Sequence, residues 1–214
     1  MTHPMAEIAA GLSVERFGAY RVAAGGHDAD ALALYEWNAT ISAALWTDLA
    51  HCEVLVRNRL HEQLTAWSTQ VYGESVWYRD PGRIFTAQHA SDVAEARRRA
   101  TTGSRAKPET PGRIVAELNF GFWRYLVASQ YERTLWLPVL RYTFRNVHRR
   151  HLHGCLARLH NVRNRIAHHE PIHYENLGRL HGDLLKVLGW INPTYRQWVQ
   201  QQSTVTDQLA ARPA

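Results

Sequence analysis

The stretch NVHRRHLHGCLARLHNVRNRIAHHEP, Asn146 to Pro171, decides how this chain folds. Its apolar residues Leu152, Leu156, Leu159, Val162 and Ile166 recur at spacings of three and four, the pattern of one helix face. At about 100° per residue, Arg163 falls roughly 20° from Leu152, inside that stripe rather than opposite it. A charge in an apolar stripe is usually paired or placed at an interface, so Arg163 is expected to face a bundle groove, a carboxylate or a partner subunit. Asn146 is placed to cap the helix. Pro171 disfavours helical geometry at Glu170, so the helix should end near His168 or His169 and leave the imidazoles at an open terminus.

Working outward, the chain reads as helix almost throughout. A short helix opens at Leu12-Ser13-Val14 and ends near Gly25-Gly26. A long one starts with Asp28 as its cap and runs to about Thr69, with the stripe Leu34, Ile41, Leu45, Leu49, Cys52, Val56 and Leu60. An aromatic loop spans 73–82. A polar helix from Thr86 ends in Arg97-Arg98-Arg99, and residues 101–111 form a flexible loop rich in Gly, Ser and Pro. Thr110 and Pro111 then open another helix, and the glycine of Leu118 to Trp123 marks a bend or a close approach. A helical piece from Leu135 to Tyr142 is interrupted by Pro138. Helices over Tyr174 to Leu188 and from Asn192-Pro193 complete the chain. No β alternation of useful length occurs. The tryptophans at 37, 46, 67, 123 and 136 fall in helical patterns and are expected in the core or at an interface. The expectation is a single all-α domain over 1–214, a helical bundle with antiparallel neighbours.

The composition narrows the partners. Net charge is +6, and all but Lys107 and Lys186 of the 25 basic residues are arginines, whose planar fork suits phosphate. A GC-rich genome would also favour arginine. No apolar run is long enough to span a bilayer, so no membrane partner is expected. The N-terminus lacks the basic-then-apolar pattern of a secretory signal. Cys52 and Cys155 lie on apolar helical faces without disulfide or metal-ligand spacing, which fits a cytoplasmic location.

Arg163, Asn164 and His168 are the candidate catalytic residues. An arginine grips a phosphate, and a histidine at an open helix end titrates near neutral pH. In a chain this rich in Arg and His the Arg-x4-His spacing carries little by itself; its place in the stripe and at the helix end carries more. Asn164 and His168 share a face if the helix continues, which favours His168 over the adjacent His169. On the long helix, Glu53 and Arg57 are four apart, read either as an intrahelical ion pair or as support that orients Arg163 or a histidine. Arg97, Arg98, Arg99, Arg105 and Arg165 are candidate nucleic-acid contacts, with Trp77 and Tyr78 as candidate stacking partners for bases. His160, His168, His169, His173 and Glu170 match no metal-ligand spacing, and no metal or other cofactor is expected.

Four segments carry a family resemblance: Leu12 to Tyr20; Ala33 to Asn38 with Glu53 to Asn58; Leu118 to Trp123; and Leu159 to Glu170. In their order and spacing the chain resembles the Abi-like proteins of bacteria, a branch of the HEPN superfamily of all-α domains. Arg163-Asn164-Arg165-Ile166-Ala167-His168 matches the superfamily's Arg-polar-x-x-x-His pattern. The resemblance implies a HEPN-like bundle with additional N- and C-terminal helices. It implies metal-independent endoribonuclease chemistry in a homodimer whose two motifs form one composite site. Arg163 would hold the scissile phosphate, Asn164 would orient it or the histidine, and His168 would transfer protons. His169 also fits the family's variable spacing. The biological role implied is abortive infection or toxin-type antiphage defence, with an antitoxin or a small RNA as a regulatory partner. Many members of the superfamily are inactive as nucleases, so the alternative is a non-catalytic RNA-binding or regulatory module.

Overall fold

Why one helix organises everything is visible in α3, Asp28–Tyr72, whose 45 residues make a rod about 67 Å long. Its apolar stripe is buried throughout: Leu34, Ile41, Leu45, Leu49, Cys52, Val56 and Leu60 all face the core. Gly73 ends it in the left-handed conformation, closing the last turn onto the Thr69 carbonyl. The computed structural model describes residues 5–103 and 108–213, and among them every regular element is helical.

Before α3 come α1, Met5–Gly11, and α2, Val14–Ala23, the latter capped by the Ser13 hydroxyl. Phe17 and Tyr20 of α2 pack against the first turns of α3. After α3, a 3-10 turn at Trp77–Arg79 leads into α4, Ala87–Thr101, and then α5, Pro111–Glu117. The helix opened by Thr110 and Pro111 breaks just before Gly121, where a bend or close approach is expected. Leu118 is extended, and Asn119 caps a new helix α6, Phe120–Leu126, by accepting from the Phe122 N–H at 2.9 Å. Pro138 splits the next segment into a π-helical turn, Glu132–Trp136, and a 3-10 turn, Leu140–Tyr142.

α7, Arg149–Ala167, and α8, Leu177–Ile191, pack on each other and on α3 to form the bundle proper. Two expected caps are displaced. His148, not Asn146, precedes α7, and Asn146 adopts φ 55° in the turn before it. His27, not Asp28, precedes α3, while the Asp28 carboxylate pairs with Arg21 at 2.7 Å.

The chain closes with α9, Pro193–Gln202, and α10, Val205–Ala210. Trp37 donates to the Gln208 carbonyl at 2.7 Å, fixing α10 on α3. Ser203 donates to Asp48 at 2.6 Å and lies 3.2 Å from His181 Nε2, which is itself 3.3 Å from Asp48. This is not a nucleophile relay. A relay needs the carboxylate on the far ring nitrogen, and here both partners meet Nε2. It is a latch holding α9 and α10 against α3 and α8. One continuous apolar core runs from Phe17 to Val205. Among the described residues no helix is long and apolar enough to cross a membrane.

Candidate functional site

The end of α7 is built by a specific stop. His168 is the C-cap, and its N–H donates to the Asn164 carbonyl. His169 N–H donates to Ile166 and Glu170 N–H to Arg165, the paired bonds of a Schellman turn. Such a turn needs a left-handed residue after the cap, normally glycine. His169 fills that position with φ 55°. The loop that follows is tied to the N-terminal elements. Arg16 of α2 donates to the His169 carbonyl, the Asn38 side chain accepts from the Ile172 N–H at 2.8 Å, and His173 packs on Tyr20. His168 and His169 are both exposed.

Arg163, expected inside the stripe, lies half-buried at its edge and faces a carboxylate and a cleft. Its side chain is 30% exposed; its Nε lies 3.6 Å from Glu53 Oε2, whose side chain is 19% exposed. The guanidinium carbon stands 5.2 Å over the Trp46 ring. Glu53 therefore reaches across to α7. No Glu53–Arg57 ion pair forms among the described residues, and Arg57 Nε is buried without a partner. No hydrogen bond joins the Arg163 guanidinium to another described residue.

Asn164 turns back along α7 toward His160. Its Nδ2 position lies 3.2 Å from His160 Nε2, and Arg124 Nη1 lies 3.1 Å from His160 Nδ1. Burial, with the nearby Arg124 and Arg163 charges, pushes the His160 pKa down, so the ring is neutral. An arginine only donates, so Nδ1 accepts and the ring proton sits on Nε2. Two donors cannot face each other, so the Asn164 carboxamide is assigned the other way round, with its oxygen accepting from Nε2–H and its NH2 turned away from the ring. His160 is the residue sequence reasoning undervalued. It entered there only as an unlikely metal ligand, although its spacing of three from Arg163 and four from Asn164 puts it on their face.

Two clefts flank this end of α7. One, of about 800 Å³, is bordered by Arg163, Asn164, His160, Asn119 and Tyr125. The other, of about 630 Å³, is bordered by Arg16, Tyr35, Trp46, His169 and Glu170. Trp46 borders the second cleft and underlies the arginine that borders the first.

The remaining candidates are placed less openly. Arg97 pairs with Glu109 at 3.0 Å, Arg98 with Glu95 at 2.6 Å, and Arg99 with Glu95 at 3.3 Å and Glu117 at 3.0 Å. Arg165 lies 3.5 Å from Glu170 and 3.9 Å from Glu175, with its guanidinium over Tyr174. Arg105 lies outside the described residues. Trp77 and Tyr78 are buried, Trp77 donating to His61 at 2.8 Å, so neither offers a face to a base. Among the described residues no three His, Cys, Asp or Glu side chains cluster to hold a metal. Comparison with known proteins gives no matching family model, no matching curated protein and no matching solved structure.

Proposed function

We propose that this protein is a metal-independent endoribonuclease of the HEPN type, acting as a homodimer in abortive infection or toxin-type antiphage defence. The observation that carries the reading is the state of Arg163. A half-buried guanidinium is oriented by Glu53 and Trp46, makes no hydrogen bond to another described residue, and borders a cleft of about 800 Å³. Such a group suits a phosphodiester, which offers paired oxygens to a planar fork.

In the proposed reaction Arg163 holds the scissile phosphate and Asn164 helps to orient it. The ribose 2′-hydroxyl attacks phosphorus as its proton is removed, and the bond from phosphorus to the 5′-oxygen breaks as that oxygen gains a proton. The products are a 2′,3′-cyclic phosphate and a free 5′-hydroxyl. The substrate brings its own nucleophile, so the protein supplies position, charge stabilisation and proton transfer. His168, exposed at the helix end, is the proton-transfer group, and a second protomer brings the other copy of the motif. A cytoplasmic location is proposed from the two free, buried thiols, Cys52 and Cys155. An antitoxin or small RNA is the proposed regulatory partner.

A non-catalytic RNA-binding or regulatory module is the second reading. It is favoured by one feature: Asn164 is engaged by His160, not by His168. Product chemistry separates the two. Incubation with single-stranded RNA in EDTA should give fragments with cyclic-phosphate and 5′-hydroxyl ends, and 2′-deoxy substitution at the cut position should stop it. Tight binding with intact RNA would establish the module reading instead.

A further inference from the structure

The cleft of about 800 Å³ beside Arg163 is furnished for more than a phosphate. It lies between the start of α4, the α5–α6 junction and α7. On one side Tyr125 is 42% exposed, with the Arg124 guanidinium stacked 4.2 Å from its ring centroid. That plate is the kind of surface on which a nucleobase stacks. Buried Phe122 and His89 line the inner wall.

The polar groups of the cleft converge because residue 121 is glycine. A Cβ there would stand 3.0 Å from Asn119 Oδ1 and 3.2 Å from His160 Nε2, so a side chain at this position would push these groups apart by a few tenths of an ångström. Asn119 spends its oxygen on capping the Phe122 N–H, which leaves its NH2 free. Asn164, by the proton accounting at His160, also has its NH2 free. The groups these two carboxamides leave free are both donors. Donor pairs match the carbonyl edges of guanine and uracil, whereas adenine and cytosine present an amino group in the corresponding place.

Building on the endoribonuclease reading, we infer that this cleft is a base-specificity pocket. It takes the nucleobase adjoining the phosphate held by Arg163, stacks it on Tyr125, and selects guanine or uracil through the NH2 groups of Asn119 and Asn164.

The test is Asn119→Asp. Aspartate caps a helix as well as asparagine, so α6 keeps its start, but the free NH2 becomes an acceptor. Wild-type protein should cut a random-sequence RNA next to guanine or uracil, and Asn119→Asp should shift the ends toward adenine or cytosine by about tenfold in relative frequency. Tyr125→Ala should weaken binding of every oligonucleotide without changing the preference. The same comparison is made by binding, with fully 2′-deoxy oligonucleotides that cannot be cut. If no RNA is cut but the binding preference still inverts in Asn119→Asp, the ribonuclease reading fails and the pocket stands. If RNA is cut with the same ends by wild type and Asn119→Asp, the pocket is wrong and the ribonuclease reading stands.

Discussion

Replacing His169 with glycine should stabilise this protein, and the reason can be worked from its backbone. His169 occupies the left-handed position of the Schellman turn that ends α7, with φ 55°. A residue with a Cβ is disfavoured there by about 1–2 kcal/mol. Glycine removes that strain but adds about 0.4–1 kcal/mol of unfolded-chain entropy to be lost on folding. The imidazole is exposed and makes no hydrogen bond to another described residue, and the Arg16 bond goes to the backbone carbonyl, which glycine keeps. The net expected gain is about 0.5–1 kcal/mol, or roughly 1–4 °C in Tm for a chain of this size. Urea and thermal unfolding followed by circular dichroism measure it. If His168 is the proton-transfer group, the same variant should keep its RNA cleavage within about twofold. A loss of stability would refute the strain argument. A loss of cleavage with stability gained would move the proton-transfer role to His169.

The Glu53–Arg163 pair is partly screened by solvent, so a double-mutant cycle of Glu53→Gln and Arg163→Gln should give a coupling of about 1 kcal/mol; a value near zero would mean that Glu53 does not hold the arginine. Asn38→Ala leaves the buried Ile172 N–H without its acceptor and should cost about 1–3 kcal/mol, read from urea midpoints; an unchanged midpoint would contradict the tether. Gly121→Ala should cost about 1–3 kcal/mol by crowding Asn119 and His160, and a neutral result would show that the junction yields freely. Burial pushes down the pKa values of His61, His89, His153, His160 and His173 from 6.5, with nearby arginines reinforcing it at His153, His160 and His173. The unfolded chain therefore takes up protons first as pH falls. The stability these rings allow is intact above their unfolded value and is lost as pH drops below it toward the folded values. Unfolding midpoints should decline from about pH 7 to 5; a flat or rising profile would contradict the neutral, buried state of these rings.

The long helices were legible because their cores repeat. Every stripe residue predicted for α3 is buried, and the end of α7 falls where Pro171 requires it. What the pattern missed was decided by single side chains meeting across the fold. Asn146 looks like a cap, but the turn before α7 needs a left-handed residue, which asparagine tolerates, and the cap position passes to His148. For Glu53 the pattern left Arg57 and Arg163 both open as partners, and the packing of α7 on α3 decides for Arg163. Trp77 and Tyr78, on a loop by pattern, are drawn into the aromatic cluster around Trp123. Asn164 shares a periodic face with both His160 and His168. The helix stops at Ala167, and the turn before it, where His160 stands beside Arg124, takes the carboxamide. Arg163 was readable from one anomaly alone, a charge at an apolar position.

The most direct test of the account is the rate at which purified wild-type, Arg163→Ala and His168→Ala proteins cleave single-stranded RNA in EDTA, each checked for the same circular dichroism and elution volume. Wild type should cleave, and each substitution should lower the rate by at least about a hundredfold while fold and assembly are unchanged. Cleavage that survives both substitutions in EDTA would contradict the assignment of the reaction to the end of α7.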